Sequence, residues 1–363
     1  MYIIPTEAIG SIPRTEKLML AQQQFDSGEL DSVTMSACYD EAVQETIREL
    51  EATGSPIISD GEQRKTHSFA TYSVEGGENF APDGLEIPFQ DGHVRRLPRL
   101  TSGPFRFTSY GYETLPIAKA FTNMPIKQAI ISVSALSLFY PLENLPGYSR
   151  EEFLNDLVDE QEKEIRGCFA AGAERVQIDF TEGRLAIKLD PSGSLLNSFI
   201  DLNNRVFSRF SVVEQQNIGI HTCPGADHDS THSADVDYAE LLPSLFELKV
   251  SNFYIAMAAE KNPDRALRIV ARYLKPEQRA FIGVIDVNAP EIETAEEVCS
   301  RVLAAAQHIP IEQLGTTDDC GFSPFCDDMS TSRETAFAKI RARVQGTAMA
   351  AKQLNIDRGG HDG

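Results

Sequence analysis

Short β-rich runs alternate with amphipathic helical stretches along almost the whole of this chain, and that alternation limits the fold more than any other feature. The runs are 3–10, 56–60, 128–134, 175–179, 217–222, 252–257, 280–286 and 313–317. Helix-like stretches cover 35–53, 150–171, 195–216, 236–248, 263–274, 292–308 and 332–352. Within 150–171, Phe153, Leu157, Ile165 and Phe169 recur near a helical period, and Gly172 provides a stop. Strands separated by helices pair in parallel through right-handed crossovers. Eight such units predict an α/β fold, a closed (β/α)8 TIM barrel. A six- or seven-stranded doubly wound sheet is the alternative, but it normally carries a Gly-rich loop after an early strand, and the chain has neither G-x-G-x-x-G nor a Walker loop. The expectation is one catalytic barrel over 1–356, with a disordered tail at 357–363.

One stretch interrupts the alternation. Residues 71–115 carry Glu75-Gly76-Gly77-Glu78, Pro82-Asp83-Gly84, Gln90-Asp91-Gly92 and Ser102-Gly103-Pro104, turn signals that bracket short β-like pieces. A β-hairpin excursion after the second strand is predicted, lying over the C-terminal mouth of the barrel as a lid or partner surface. It would bring Arg95, Arg96, Arg99 and Arg106 above the mouth, either to meet substrate or as ordinary solvated surface.

Charge excludes one class of partner. Lys+Arg of 33 against Asp+Glu of 54 gives a net charge of −21, which argues against nucleic acid. No segment approaches the roughly 20 continuous apolar residues that span a bilayer. The start, Met1-Tyr2-Ile3-Ile4-Pro5, lacks the basic and apolar regions of a signal peptide, so a cytoplasmic location without membrane association is expected. The six cysteines then read as reduced thiols, some of them ligands, and Cys38, Cys168 and Cys299 fall in helical patterns as packing residues.

The chemistry gathers at the strand ends. His221 and Cys223 stand two apart at the end of the fifth run, so both would point to the same side. Cys320 follows the eighth run in Asp319-Cys320-Gly321, and the three together form an N/S/S set suited to zinc and to activating a thiol. Two packed cysteines and a hydrogen-bonded histidine would give the same pattern without a metal. Gly10-Ser11, Asp60-Gly61-Glu62, Asp179 and Asp286 occupy other strand ends, where carboxylates also serve as helix N-caps. Residues 224–237, with Asp227, His228, Asp229, His232, Asp235 and Asp237, read as a polar loop or a second metal site.

Ile9-Gly10-Ser11-Ile12-Pro13-Arg14-Thr15, Asp60-Gly61-Glu62, Val176-Gln177-Ile178-Asp179, His221-Thr222-Cys223, Gly283-Val284-Ile285-Asp286 and Asp319-Cys320-Gly321 resemble, in this order, the catalytic barrel of cobalamin-independent methionine synthases. The resemblance runs over essentially the whole chain and corresponds to a core form without the family's N-terminal barrel. It implies zinc ligation by His221, Cys223 and Cys320, with Cys326 a nearby competitor that the D-C-G context disfavours. Ile9, Gly10, Ser11, Glu62 and Asp179 would hold the amino acid part of a homocysteine-like thiol. Asp286 and Asn288 would stand at the catalytic acid position.

Three departures bear on that reading. Ala256 falls where the family has a glutamate ligand, leaving Glu260, from the following loop, or a water as the fourth ligand. Asn288 replaces the family's histidine acid, and the chain has no tryptophan for stacking a pterin; Ser132, Ser134 and Leu136 lie in that region. The expected activity is methyl transfer to a small-molecule thiol, most simply homocysteine to methionine, from a folate or a methylated corrinoid protein. A polyglutamylated methylfolate is expected to be a poor donor. Zinc-dependent alkyl or epoxide transfer to another thiol and a non-catalytic metal-binding barrel are the alternatives, and an oligomer is allowed.

Overall fold

Six of the eight runs form one parallel sheet in the order Lys127–Ile131, Arg175–Asp179, Ile218–Thr222, Asn252–Ile255, Arg279–Ile285 and Leu314–Asp318. The structure is a computed structural model and describes residues 3–65 and 67–359, with 356–359 described as backbone. Almost every residue of these strands is buried, because helices cover the outside and side chains fill the inside. Between consecutive strands lie helices such as Arg150–Ala170, Ser194–Phe207, Tyr238–Leu245, Pro263–Tyr273 and Ala295–Ala306.

The first and second barrel positions close the ring without regular strands. Thr6 bridges Thr316 in parallel, with Glu7 N donating to Thr316 O at 3.0 Å and Thr316 N to Pro5 O at 2.9 Å. On the other side Ile58 bridges Ile126, with Lys127 N donating to Ile58 O at 2.8 Å. The two meet where Ser59 Oγ donates to Gly10 O at 2.7 Å and Ile12 N to Gly61 O at 3.0 Å. The runs at 3–10 and 56–60 are thus shorter in structure than in pattern, since Pro5 and Pro56 lack the N–H that a continuous ladder needs.

Other boundaries also move. The third strand ends at Ile131, and Val133–Leu136 is helical because Ser132 caps it, accepting from Ala135 N. The stretch 195–216 divides into Ser194–Phe207 and Val212–Gln215, the second started by a Ser211/Glu214 capping box. Three further helices escape the periodicity: Glu16–Asp26, capped by Thr15, Leu115–Phe121, and Glu182–Leu189. The last helix, Arg333–Gly359, carries 357–359 of the expected disordered tail as helix, and 360–363 lie outside the described residues.

The excursion forms two nested hairpins, Phe80–Ala81 with Arg99–Leu100 and Glu86–Pro88 with Val94–Arg96. Ile87, Phe89, Val94 and Leu97 line the same cavity as Asp179 and His221, so the inner hairpin covers the C-terminal end of the barrel. At the opposite end the barrel interior is plugged by charge: Glu7 accepts from Arg175 Nε at 3.0 Å and from Tyr254 OH at 2.5 Å. No helix among the described residues is long and apolar enough to cross a membrane.

Candidate active site

His221 is the penultimate residue of the fifth strand, Ile218–Thr222, and Cys223 follows that strand, both buried. The chain then turns at Gly225, whose N–H donates to Cys223 Sγ at 3.3 Å. Gly225 has φ +75°, and a Cβ there would sit 1.9 Å from His232 Nε2, so glycine is required on both counts.

Cys320 reaches this corner from the eighth strand. The preceding Asp319 acts as a clamp, accepting from the N–H groups of Met257, Ala258 and Ala259 at 2.7, 2.8 and 2.9 Å. It thereby ties the loop after the sixth strand to the loop that carries Cys320. Burial holds the Asp319 carboxyl up at about 7 against the lowering effect of those bonds. Gly321 serves by its size, for a Cβ there would lie 2.1 Å from Ser11 Oγ. Sequence reasoning saw Asp319 only as part of a motif; the clamp depends on contacts 60 to 62 positions away, which no local pattern reports.

The Cys223 and Cys320 sulfurs are 3.4 Å apart, and one ligand atom from each of His221, Cys223 and Cys320 lies within 4.8 Å of the others. Neither ring nitrogen of His221 has a hydrogen-bond partner among the described residues. Contact with Cys223, reinforced by burial, pushes the Cys320 thiol well above its ordinary value. Two thiols and an orphaned imidazole in a dry corner are costly as they stand, and a soft divalent cation satisfies all three. The residues fit zinc.

Beside this corner opens a cavity of about 340 Å³ lined by Ile9, Ser11, Glu62, Asp179, His221 and Cys320 among others. Gly10 stands behind it, where a Cβ would fall 2.5 Å from Glu62 Oε1. Glu62 has φ +57°, a conformation fixed by Asp60 Oδ1 accepting from its N–H at 2.8 Å. Arg14 donates to the backbone oxygens of Glu62 and Lys65 at 3.2 and 2.6 Å. Lys65 Nζ lies 2.8 Å from Glu62 Oε2. Burial acts to lower Lys65, but Glu62, Asp179 and Asp60 outweigh it and hold its ammonium above the lysine value. Burial, then repulsion from Glu62, pushes Asp179 above the usual carboxylate range.

Residues 4–347 match the family described as "Cobalamin-independent synthase, Catalytic domain". This chain belongs to the cobalamin-independent synthase family. The Aeromonas salmonicida 5-methyltetrahydropteroyltriglutamate–homocysteine methyltransferase is 23% identical over 88% of this chain and 40% of its own length. The chain therefore spans under half of such curated relatives. Bacillus subtilis YxjH is 23% identical over 92% of this chain and 91% of its own length. A B12-independent methionine synthase from Shewanella sp. W3-18-1, solved with selenomethionine, superposes with TM-score 0.78 at 20% identity, covering 98% of this chain and 100% of that one. The shared fold is the α/β barrel.

Within this cobalamin-independent synthase barrel, the residues expected at the acid position are not in the main cavity. Asp286 and Asn288 line a second cavity of about 90 Å³ that reaches Cys320 from the other side, together with Ala256 and Glu260. Asn288 N donates to Asp286 Oδ1 at 3.0 Å, which closes a turn. Glu260, expected as a fourth ligand, is not in the His221–Cys223–Cys320 group; its carboxylate accepts from Arg184 Nη2 at 2.9 Å. Ala256 offers no donor atom from its side chain, so His221, Cys223 and Cys320 are the side chains that would hold a metal here.

The polar loop after the fifth strand fastens the hairpin. Asp227, His228 and Asp328 lie close enough to share a metal, but Asp227 already accepts from Arg95 Nε at 2.5 Å and Nη2 at 3.1 Å, with His93 Nε2 at 2.9 Å. The hairpin arginines are all paired: Arg95 also with Asp327, Arg96 with Glu86, Arg99 with Asp83 and Arg106 with Asp156. Burial holds the His232 imidazole down at about 4, and its Nδ1 lies 2.8 Å from Ser233 Oγ. All six cysteines are free, and Cys326 stands apart from the zinc-type group.

Proposed function

We propose that this barrel is a zinc-dependent S-methyltransferase that makes methionine from homocysteine, with an N-methylated folate as donor. The reading rests on the unpartnered His221 ring buried beside two thiols, at the edge of a cavity holding the buried carboxylates of Glu62 and Asp179. His221, Cys223 and Cys320 would hold the metal, and zinc there lowers the pKa of an incoming thiol so that its sulfur is thiolate at neutral pH.

This chain's own residues account for the rest of the acceptor. Asp60, Glu62 and Asp179 surround a single buried ammonium, Lys65, and their excess negative charge suits the α-ammonium of an amino acid. Glu62 and Asp179 face the cavity and would take that ammonium, while the Ser11 hydroxyl and the backbone at Ile9–Ser11 offer donors to the α-carboxylate. Ile87, Phe89 and Leu97 roof the cavity and exclude water, which strengthens each of these contacts. Apolar side chains of Ile131, Leu138 and Leu185 leave a dry wall for a heterocyclic donor, the class named by the Aeromonas relative. Holding sulfur and methyl group in line supplies much of the acceleration.

The test is metal analysis with zinc-edge spectroscopy, with and without L-homocysteine, followed by a methionine assay with 5-methyltetrahydrofolate. One zinc per chain, with one more sulfur neighbour on adding homocysteine and methionine formed, is expected. Zinc with an unchanged sulfur count, or no zinc at all, would sink the proposal.

A further inference from the structure

Glu182 opens the helix after the fourth barrel strand, three positions beyond Asp179. It is buried, yet forms part of the wall of the cavity that contains Asp179, His221 and Cys320. Its Oε1 accepts from Ser132 Oγ at 2.5 Å and from Ser134 Oγ, and Ser134 is in turn bonded by Asn203 Nδ2 at 2.5 Å. Its Oε2 has no hydrogen-bond partner among the described residues. Two hydroxyls thus orient one oxygen, and the other is buried at the cavity wall without a partner.

The remaining ionisable groups on that wall are engaged or in the wrong state. Glu62 is paired with Lys65, Arg95 with Asp227, Arg96 with Glu86, and His67 with Glu75. Asp179 accepts from Gln177 Nε2 at 2.8 Å and belongs to the acceptor cradle. His232 is neutral across the physiological range and has no proton to give as an acid. In the second cavity Asn288 carries an amide, which is no acid either. A methyl group on nitrogen leaves slowly unless that nitrogen receives a proton, so the reaction proposed above needs an acid that the expected position lacks.

Resting on that reading, we propose that Glu182 is the catalytic acid of the transfer, protonating the donor nitrogen as the methyl group departs. The thiolate sulfur forms the S–C bond while the C–N bond breaks. The electron pair of that bond stays on nitrogen, and the proton passes to it from the Glu182 carboxyl. The resulting carboxylate is stabilised by the Ser132 and Ser134 hydroxyls, and solvent returns the proton as products leave. Burial holds the Glu182 carboxyl up at about 7, so acid and base forms are both populated near neutrality. Asp179 is the charged group acting on it, raising it; Ser132, Ser134 and the helix-start N–H act in the opposite direction.

The experiment compares two donors in single turnover with zinc-loaded protein and homocysteine: 5-methyltetrahydrofolate, whose nitrogen needs a proton, and methyl iodide, whose iodide does not. Glu182→Gln should lose about 10²–10⁴-fold with the folate and keep its full rate with methyl iodide. The wild-type folate rate should fall as pH rises through about 7, and Ser134→Ala should move that fall to higher pH by removing a bond that favours the carboxylate. Glu182→Asp, which keeps an acid on a shorter arm, should recover part of the rate and serves if the glutamine variant does not fold. Equal losses with both donors, no loss with the folate, or an unmoved pH profile in Ser134→Ala would each overturn the assignment. A wild type that reacts with methyl iodide but not with the folate overturns Glu182 while leaving thiol activation intact. A wild type inert to both overturns the methyltransferase reading itself.

Discussion

Cys223 and Cys320 are 97 positions apart in the chain, and their sulfurs meet at 3.4 Å in the folded barrel. The eighth strand closes beside the first, so Cys320 must cross the mouth to reach the fifth strand. The Asp319 clamp on residues 257–259 and the close fit of Gly321 over Ser11 carry it there.

Removing either sulfur should empty the site. Cys223→Ser and Cys320→Ser are expected to lose most bound metal and to slow methyl transfer by more than the roughly 10–100-fold typical of residues outside a ligand set. Circular dichroism should be unchanged, because stability rests on the core and not on the metal. Stoichiometric zinc in both variants would contradict the ligand assignment.

Glu260→Gln should leave metal affinity unchanged. Glu260 is committed to Arg184 and is not in the ligand group. Isothermal titration with zinc decides it, and a weakened affinity would make Glu260 a ligand after rearrangement.

Homocysteine binding should weaken in acid. Burial and Glu62 raise the Asp179 pKa, so Asp179 takes up its proton earlier than an ordinary carboxyl as pH falls, and the partner of the α-ammonium is lost. KM for homocysteine is expected to rise as pH drops through that raised value. Asp179→Asn should raise KM by about 10–100-fold, equivalent to a charged hydrogen bond of about 1.5–3 kcal/mol, and should flatten this pH dependence. A wild-type KM independent of pH in the acid range would count against the cradle.

Arg95→Ala should loosen the roof. Asp227 is buried, and losing its guanidinium partner leaves it under-satisfied, at a cost of about 1–3 kcal/mol. Lower thermal stability and faster amide exchange across 86–96 are expected; exchange unchanged from wild type would show that the hairpin is held elsewhere.

The folate tail should matter little. Every hairpin arginine already has an acidic partner, so additional glutamates meet no unpaired cation there. Mono- and triglutamate forms of the donor should show KM values within a few-fold, and a strong preference for the triglutamate would point to a binding surface elsewhere on the protein.

The sequence by itself determined the barrel and the residue types that gather at its mouth. Strand and helix periods are local properties, so the six central strands and most of the longer helices between them are legible from residue spacing, as is the shared face of His221 and Cys223. Tertiary structure decided what depends on distant partners. Prolines reduced the first two strands to single bridges, since those ladders need donors that proline lacks. Arg184 took Glu260 away from the metal corner, and Asp227 engaged Arg95 on the cavity wall. Glu182 carries no signal in the sequence, since the helix that it opens escapes the periodicity. Only the fold buried it between two serines with one oxygen unpartnered, because burial and partnership are set by packing and not by the residue's neighbours in sequence.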